Sequence, residues 1–91
     1  MNKQEFISMV AERIDADCSQ ANNLVNAVFG AIIQTLAAGE KLVIPGFGTF
    51  ATAKRAAHMA TNPNTGEPVS VPERTVPVFR PSKTMRDAVD R

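Results

Sequence analysis

Apolar residues recur at helical spacing near the start of the chain: Phe6, Met9, Val10 and Ile14 predict a helix of about three turns beginning near Lys3. Glu5 falls early in it, where a negative charge suits the positive end of the helix dipole. Asp15 to Ser19 breaks the pattern, and Asp17 is placed to cap a second helix by accepting backbone N–H groups that lack partners in its first turn. Ala21, Leu24, Val25, Val28, Phe29, Ile32, Ile33 and Leu36 then keep the i, i+3, i+4, i+7 rule, and Ala27, Ala31 and Ala37 widen the apolar surface. A helix this apolar has more than one stripe to bury, so it belongs between layers or in a subunit interface. Gly39 supplies its stop. The first part of the chain therefore reads as an αα-hairpin packed against something else.

The pattern changes at Lys41. Leu42, Val43 and Ile44 are strand formers, Pro45-Gly46 is turn chemistry, and Phe47 and Phe50 are large apolar anchors, so two strands joined by a tight turn are predicted over Lys41 to Ala51. A further strand region runs from Pro68 to Arg80 through Val69, Val71, Val76, Val78 and Phe79. Its prolines at 68, 72 and 77 cannot donate to a ladder and favour an edge or an exposed, bulged ribbon. Between these, Ala53 to Glu67 holds almost no large apolar residue besides Met59 and ends in Asn62-Pro63-Asn64-Thr65-Gly66-Glu67. Such a segment cannot sit in a core and reads as a hairpin projecting into solvent, with Asn, Pro and Gly at its tip. Ser82 can cap a last short helix with Met85, Ala88 and Val89 facing inward and Lys83, Arg86 and Arg91 facing out.

Composition narrows the functional classes. With 91 residues the chain fits one domain, and a domain of that size buries proportionally little surface, for which dimerisation is a remedy. No apolar run reaches about 18 residues and Met1 to Phe6 is polar, so neither a membrane span nor a secretory signal is read, and a cytoplasmic protein is predicted. Cys18 is the single cysteine, which leaves no internal disulfide framework; it reads as a helix-entry residue. With His58 as the one histidine, no metal cluster or nucleophile–base pair assembles, and neither an enzyme nor a cofactor is predicted. The net charge of +1 is unevenly spread: residues 1–50 carry three basic and five acidic residues, net −2, and residues 51–91 carry seven and four, net +3. The C-terminal half is the candidate for an anionic partner.

Two strings in register, Ile44-Pro45-Gly46-Phe47-Gly48-Thr49-Phe50 and Asn62-Pro63-Asn64-Thr65-Gly66-Glu67, together with this order of elements, strongly resemble the HU/IHF family of bacterial histone-like nucleoid proteins, with HU the nearer branch. The resemblance runs from Met1-Asn2-Lys3 to the Lys83–Val89 helix. It implies an α+β fold: an intertwined dimer with an αα-hairpin body, a three-stranded antiparallel saddle, a long β-arm and a short C-terminal helix. A single domain is expected over 1–91, with a helical dimerisation part to about residue 40, saddle and arm over about 41–81, and the last helix over about 82–91. Val28, Phe29, Ile32, Phe47, Phe50 and Phe79 are then the expected dimer core. A homodimer is expected, and a heterodimer with a paralogue is the alternative.

The implied partner is double-stranded DNA, with no membrane and no small-molecule substrate. Pro63 is the expected wedge, its rigid ring inserting between base pairs in the minor groove at an unstacking cost of about a few kcal/mol per step. The plainer role is stiffening a turn. Asn62, Asn64 and Thr65 are candidates for minor-groove or backbone contact, with turn formation as the alternative for each. Lys3, Lys54, Arg55, Arg74, Arg80, Lys83 and Arg86 are candidate phosphate contacts. His58 and Thr61 are candidate DNA contacts too, but they stand where family members commonly hold arginine, which weakens the expected grip of the arm; protonation of His58 is one way of restoring charge. The function expected is an architectural, weakly sequence-specific protein that bends and compacts DNA in the nucleoid. The alternatives are an IHF-like or specialised paralogue with site preference, and an HU-fold protein-interaction module.

Overall fold

The computed structural model describes residues 1–90; Arg91, expected on the outer face of the last helix, lies outside them. The chain forms two compact units, one ending at Thr35 and the other beginning at Leu36. The elements in order are α1 (Lys3–Arg13), α2 (Cys18–Ala37), β1 (Leu42–Ile44), β2 (Gly48–Arg55), β3 (His58–Thr61), β4 (Pro68–Val71), β5 (Arg74–Pro81) and α3 (Lys83–Val89), an α+β fold as predicted.

Both ends of α1 and the start of α2 are fixed by local hydrogen bonds. Asn2 Oδ1 accepts the Glu5 N–H at 2.9 Å. At the other end Asp15 takes the left-handed conformation at φ 52°, its N–H reaching the Glu12 carbonyl at 3.4 Å while the Ala16 N–H reaches Ala11 at 3.0 Å. This pair of bonds closes a helix C-terminus on itself, and aspartate is among the few non-glycine residues that tolerate the angle. Two residues later Asp17 begins α2 with a reciprocal cap: Asp17 Oδ1 accepts from the Gln20 N–H at 2.8 Å, and Gln20 Oε1 accepts from the Asp17 N–H at 3.3 Å. The predicted Asp17 cap is therefore present, and Cys18 is the first helical residue, exposed. Between the helices Ile7, Ala11, Ala21 and Val25 are buried, with Val10 packed on them. Phe6 and Phe29 stack beside this small core with ring centroids 6.2 Å apart.

Gly39 at φ 80° donates its N–H to Leu36 and ends the long helix. In the second unit Pro45 and Gly46 form the turn between β1 and β2, with Gly46 at φ 81° and the Phe47 N–H on the Ile44 carbonyl at 3.0 Å. Proline then glycine at the two central positions is the chemistry of a type II turn. The three-stranded sheet has the order β1-β2-β5, all antiparallel, and β3 pairs with β4 in a separate two-stranded ribbon.

The strand predicted as one piece over Pro68 to Arg80 is two, β4 and β5, interrupted at Pro72-Glu73. Pro72 has no N–H to give to a ladder, so pairing lapses there and resumes. The register survives the gap, because Arg55 pairs with Arg74 and His58 with Val71 at the same offset. Pro77 is accommodated because β5 is an edge strand.

Phe47, Phe50 and Phe79 cluster with centroids 4.7 to 6.3 Å apart. Gly48 lies buried against them: a Cβ there would stand 2.6 Å from the Phe79 ring and 2.7 Å from the Arg80 carbonyl. The Ser82 N–H reaches the Phe47 carbonyl at 2.9 Å, and Ser82 Oγ accepts the Met85 N–H at 3.2 Å, which caps α3 as predicted. The inward face predicted for α3 holds only at Met85, which is half-buried. Ala88 is exposed and Val89 is 78% exposed, since no described residue of the chain covers the last turn.

Gly48→Ala forces a methyl group into the Phe79 ring and a backbone carbonyl. It is expected to lower unfolding stability by about 1–3 kcal/mol at fixed protein concentration, read by thermal melting. An unchanged midpoint would show that the ring moves aside freely.

Candidate nucleic-acid interface

Successive side chains of a strand point to opposite faces of the sheet, so the β2–β5 register sorts the candidate cations. One face carries Arg55 opposite Arg74 and Thr49 opposite Arg80, with Ala51, Ala53, Val76 and Val78 between them. These intervening side chains are small and half-buried, which leaves a low surface bounded by arginine at both ends. Lys54 stands on the other face, together with Phe50 and Phe79, and is thereby separated from the arginines it was grouped with. Lys83 and Arg86 are exposed on α3, three residues apart and hence on one side of that helix. Lys3 belongs to the helical unit, where its ammonium donates to Asn26 Oδ1 at 2.7 Å.

The ribbon beyond the sheet is different in kind. Residues 56–73 contain no lysine or arginine and two glutamates, Glu67 and Glu73. His58 shares a ribbon face with Ala60, Val69 and Val71, and Thr61 shares the other with Met59, Ser70 and Pro68. The His58 Nδ1 lies 3.1 Å from the Ala56 carbonyl. Met59 is 64% exposed and Val69 is 42% exposed, so the ribbon offers apolar and neutral polar side chains to solvent.

Its tip is closed by its own hydrogen bonds. The Asn62 N–H donates to the Glu67 carbonyl at 2.8 Å and the Gly66 N–H to the Asn62 carbonyl at 2.7 Å, with Gly66 at φ 74°. Asn62 Oδ1 accepts the Asn64 N–H at 2.9 Å, spanning Pro63, and Thr65 Oγ1 accepts the Glu67 N–H at 3.3 Å. Asn62 and Thr65 thus use a side-chain oxygen to shape the turn, which leaves the Asn62 amide NH2 as the donor it can offer outward. Asn64 enters the turn through its backbone N–H. Pro63 is exposed at the end of the ribbon, held between the two residues that this bond joins.

The opposition of Arg55 and Arg74, and that of Thr49 and Arg80, was missed by reading the strands separately. The signal was available: once the tip fixes Thr61 opposite Pro68, counting back along both strands puts Arg55 opposite Arg74.

The family model described as bacterial DNA-binding protein matches residues 1–90. The chain belongs to this family, the HU family. Its relatives include the SPbeta prophage-derived DNA-binding protein HU 2 of Bacillus subtilis (strain 168), 44% identical over 89 residues that cover 98% of this chain and 97% of that protein. DNA-binding protein HU of Staphylococcus aureus (strain COL) is 43% identical, covering 98% and 99%. Among solved structures, Anabaena HU in a cocrystal with DNA matches with a TM-score of 0.93 at 34% identity, covering 99% of this chain and 98% of that one. HU from Thermotoga maritima matches with a TM-score of 0.70 at 28% identity, covering 99% and 100%. HU-family proteins are structural DNA-binding proteins, and this chain is not an enzyme.

Asn62→Ala removes the acceptor that bridges Pro63. Hydrogen exchange at the Asn64 amide is expected to accelerate by roughly fivefold, the equivalent of about 1 kcal/mol for one hydrogen bond, while the β2–β5 amides keep their protection. Unchanged exchange at Asn64 would mean that the bond does not hold the turn.

Proposed function

We propose that this HU-family chain is an architectural protein that grips the backbone of duplex DNA with its arginine-bearing sheet face and α3. Pro63 enters the minor groove at the ribbon tip and kinks the duplex with little sequence preference. The observation that carries this reading is the tip itself: an exposed proline, fixed by the Asn62–Asn64 hydrogen bond, at the end of a ribbon with no core of its own. A proline ring has no N–H to desolvate and little freedom to lose, which suits it to separating stacked bases. The unstacking cost of about a few kcal/mol per step has to be offset by contacts on the bent flanks, and Arg55, Arg74, Arg80, Lys83 and Arg86 are the groups that supply them. In support, relatives carry the name DNA-binding protein HU, and the Anabaena neighbour is crystallised with DNA.

The functional unit in this reading is a dimer. Val28 is 49%, Phe29 44% and Phe47 45% exposed in the chain, Phe79 is 40% exposed, and Ile32 and Phe50 are only half-buried. Phe6, Val10, Leu24, Val25, Val28 and Phe29 line an apolar groove on the helical unit. Side chains of this size left open are the signature of an interface, and a second copy of the chain offers the same apolar faces in return. Its place is the cytoplasm, on the DNA of the nucleoid; no described helix is long and apolar enough to cross a membrane.

The reading is tested by end-labelled duplexes in which bending brings two fluorophores together, with and without a central nick. Pro63→Ala is expected to lose bending of the intact duplex and to weaken binding to it by roughly tenfold, with a smaller loss on the nicked duplex where unstacking is already done. A variant that bends the intact duplex as well as the wild type would contradict the wedge. With about six phosphates neutralised per dimer, log affinity should fall against log salt with a slope near −5, and salt-independent binding would contradict the phosphate contacts.

A further inference from the structure

The last rung of the β2–β5 ladder sets Arg55 directly across from Arg74, both exposed. Directly opposed residues on neighbouring antiparallel strands have Cβ atoms about 4.5–5.5 Å apart and point to the same side, and like charges in that relation destabilise the pairing. The chain places this pair at the root of the ribbon, on either side of residues 56–73, which hold no lysine or arginine and carry Glu67 and Glu73. Two guanidinium groups side by side become an asset when one anion lies between them. A phosphodiester spreads its one negative charge over two non-bridging oxygens, and each can accept from one planar guanidinium fork. The repulsion is then replaced by two charge-assisted contacts with a shared partner.

We propose that Arg55 and Arg74 act as a single clamp for one phosphate of the DNA backbone at the point where the ribbon leaves the sheet. The inference rests on the duplex-binding reading above and adds to it a pairing: the two arginines share one phosphate and do not reach two. The clamp fixes where the backbone crosses the ribbon root, and so sets the depth to which a ribbon without cations of its own enters the groove.

The test is the salt dependence of binding to a short duplex, measured for the wild type, Arg55→Gln, Arg74→Gln and the double variant. Each phosphate neutralised contributes about 0.9 to the slope of log affinity against log salt. With a shared phosphate, either single variant weakens binding yet keeps the wild-type slope, because the remaining arginine still neutralises the phosphate. The double variant loses about 0.9 per clamp. If, counted per protomer, each single variant loses about 0.9 and the double about 1.8, the arginines hold separate phosphates and the proposal is overturned. A double variant with the wild-type slope overturns it as well. Wild-type protein that binds without any salt dependence contradicts the duplex-binding reading itself, a result distinct from failure of the clamp alone. Melting of the free protein gives a second readout: Arg74→Gln should raise the midpoint at low salt, with the gain shrinking as salt is added. A midpoint lowered by that substitution at low salt would remove the like-charge opposition on which the clamp depends.

Discussion

Apolar side chain that one chain cannot bury is the constraint from which the rest of this structure follows. Among the described residues the buried apolar side chains are Ile7, Ala11, Ala21 and Val25, two of them alanines, while Phe29, Ile33, Val43 and Phe47 all stand substantially open. The chain exposes 7326 Å², where a compact folded monomer of this size exposes about 5,200 Å². At about 25 cal/mol per Å² of apolar surface, the uncovered phenylalanines and branched side chains represent a driving force comparable to the whole stability of a small domain. The breadth of the apolar surface on α2 makes sense only if something of matching character covers it.

Where burial contributes so little, the ends of elements are set by short-range hydrogen bonds. The connection between α1 and α2 is satisfied within itself by the Asp15 and Ala16 N–H groups and the Asp17–Gln20 exchange. The turn at Pro45-Gly46 and the cap at Ser82 work in the same way, the latter tying α3 to the Phe47 carbonyl. The ribbon takes this furthest: it has no core and is held by strand pairing and by the bonds that converge on Asn62. A segment free of packing duties can lie against a ligand over both faces. On the duplex-binding reading its exposed apolar side chains, Met59 and Val69 among them, suit the interior of a groove, while the arginines at its root suit the groove's rim. On the proposed reading these are separate tasks, with cations holding the backbone and a fixed proline ring entering between the bases.

Much of the fold was legible in the sequence because the deciding signals are local. The 3.6-residue apolar period located α1 and α2, and Asp17, Gly39 and Ser82 marked helix ends through groups that act on backbone only a few residues away. The turn residues from Asn62 to Gly66 located the tip for the same reason. Less legible was whatever depends on pairing across the chain. The break at Pro72-Glu73 was hidden because all the prolines of the region look alike in sequence, and only the ladder shows that Pro77 lies within an edge strand while Pro72 interrupts pairing. Lys54 and Arg55 read as one basic dipeptide, yet the pleat sends them to opposite faces. Asn62 looked equally suited to DNA contact and to turn formation, and its carbonyl oxygen is engaged in the turn. Val89 fits an inward-facing pattern, but α3 is only seven residues long and its last turn runs past the chain's own packing.

The need for a second copy is tested most directly by following unfolding over about a hundredfold range of protein concentration. When folding and association are coupled, the folded state gains by mass action and the midpoint rises with concentration. A steady rise is the result the proposed dimer predicts, because on that reading the open faces around Phe29 and Phe47 are covered by the second copy. A midpoint that stays fixed throughout the range would show that one chain is stable with those faces bare, and would contradict the dimer on which the account rests.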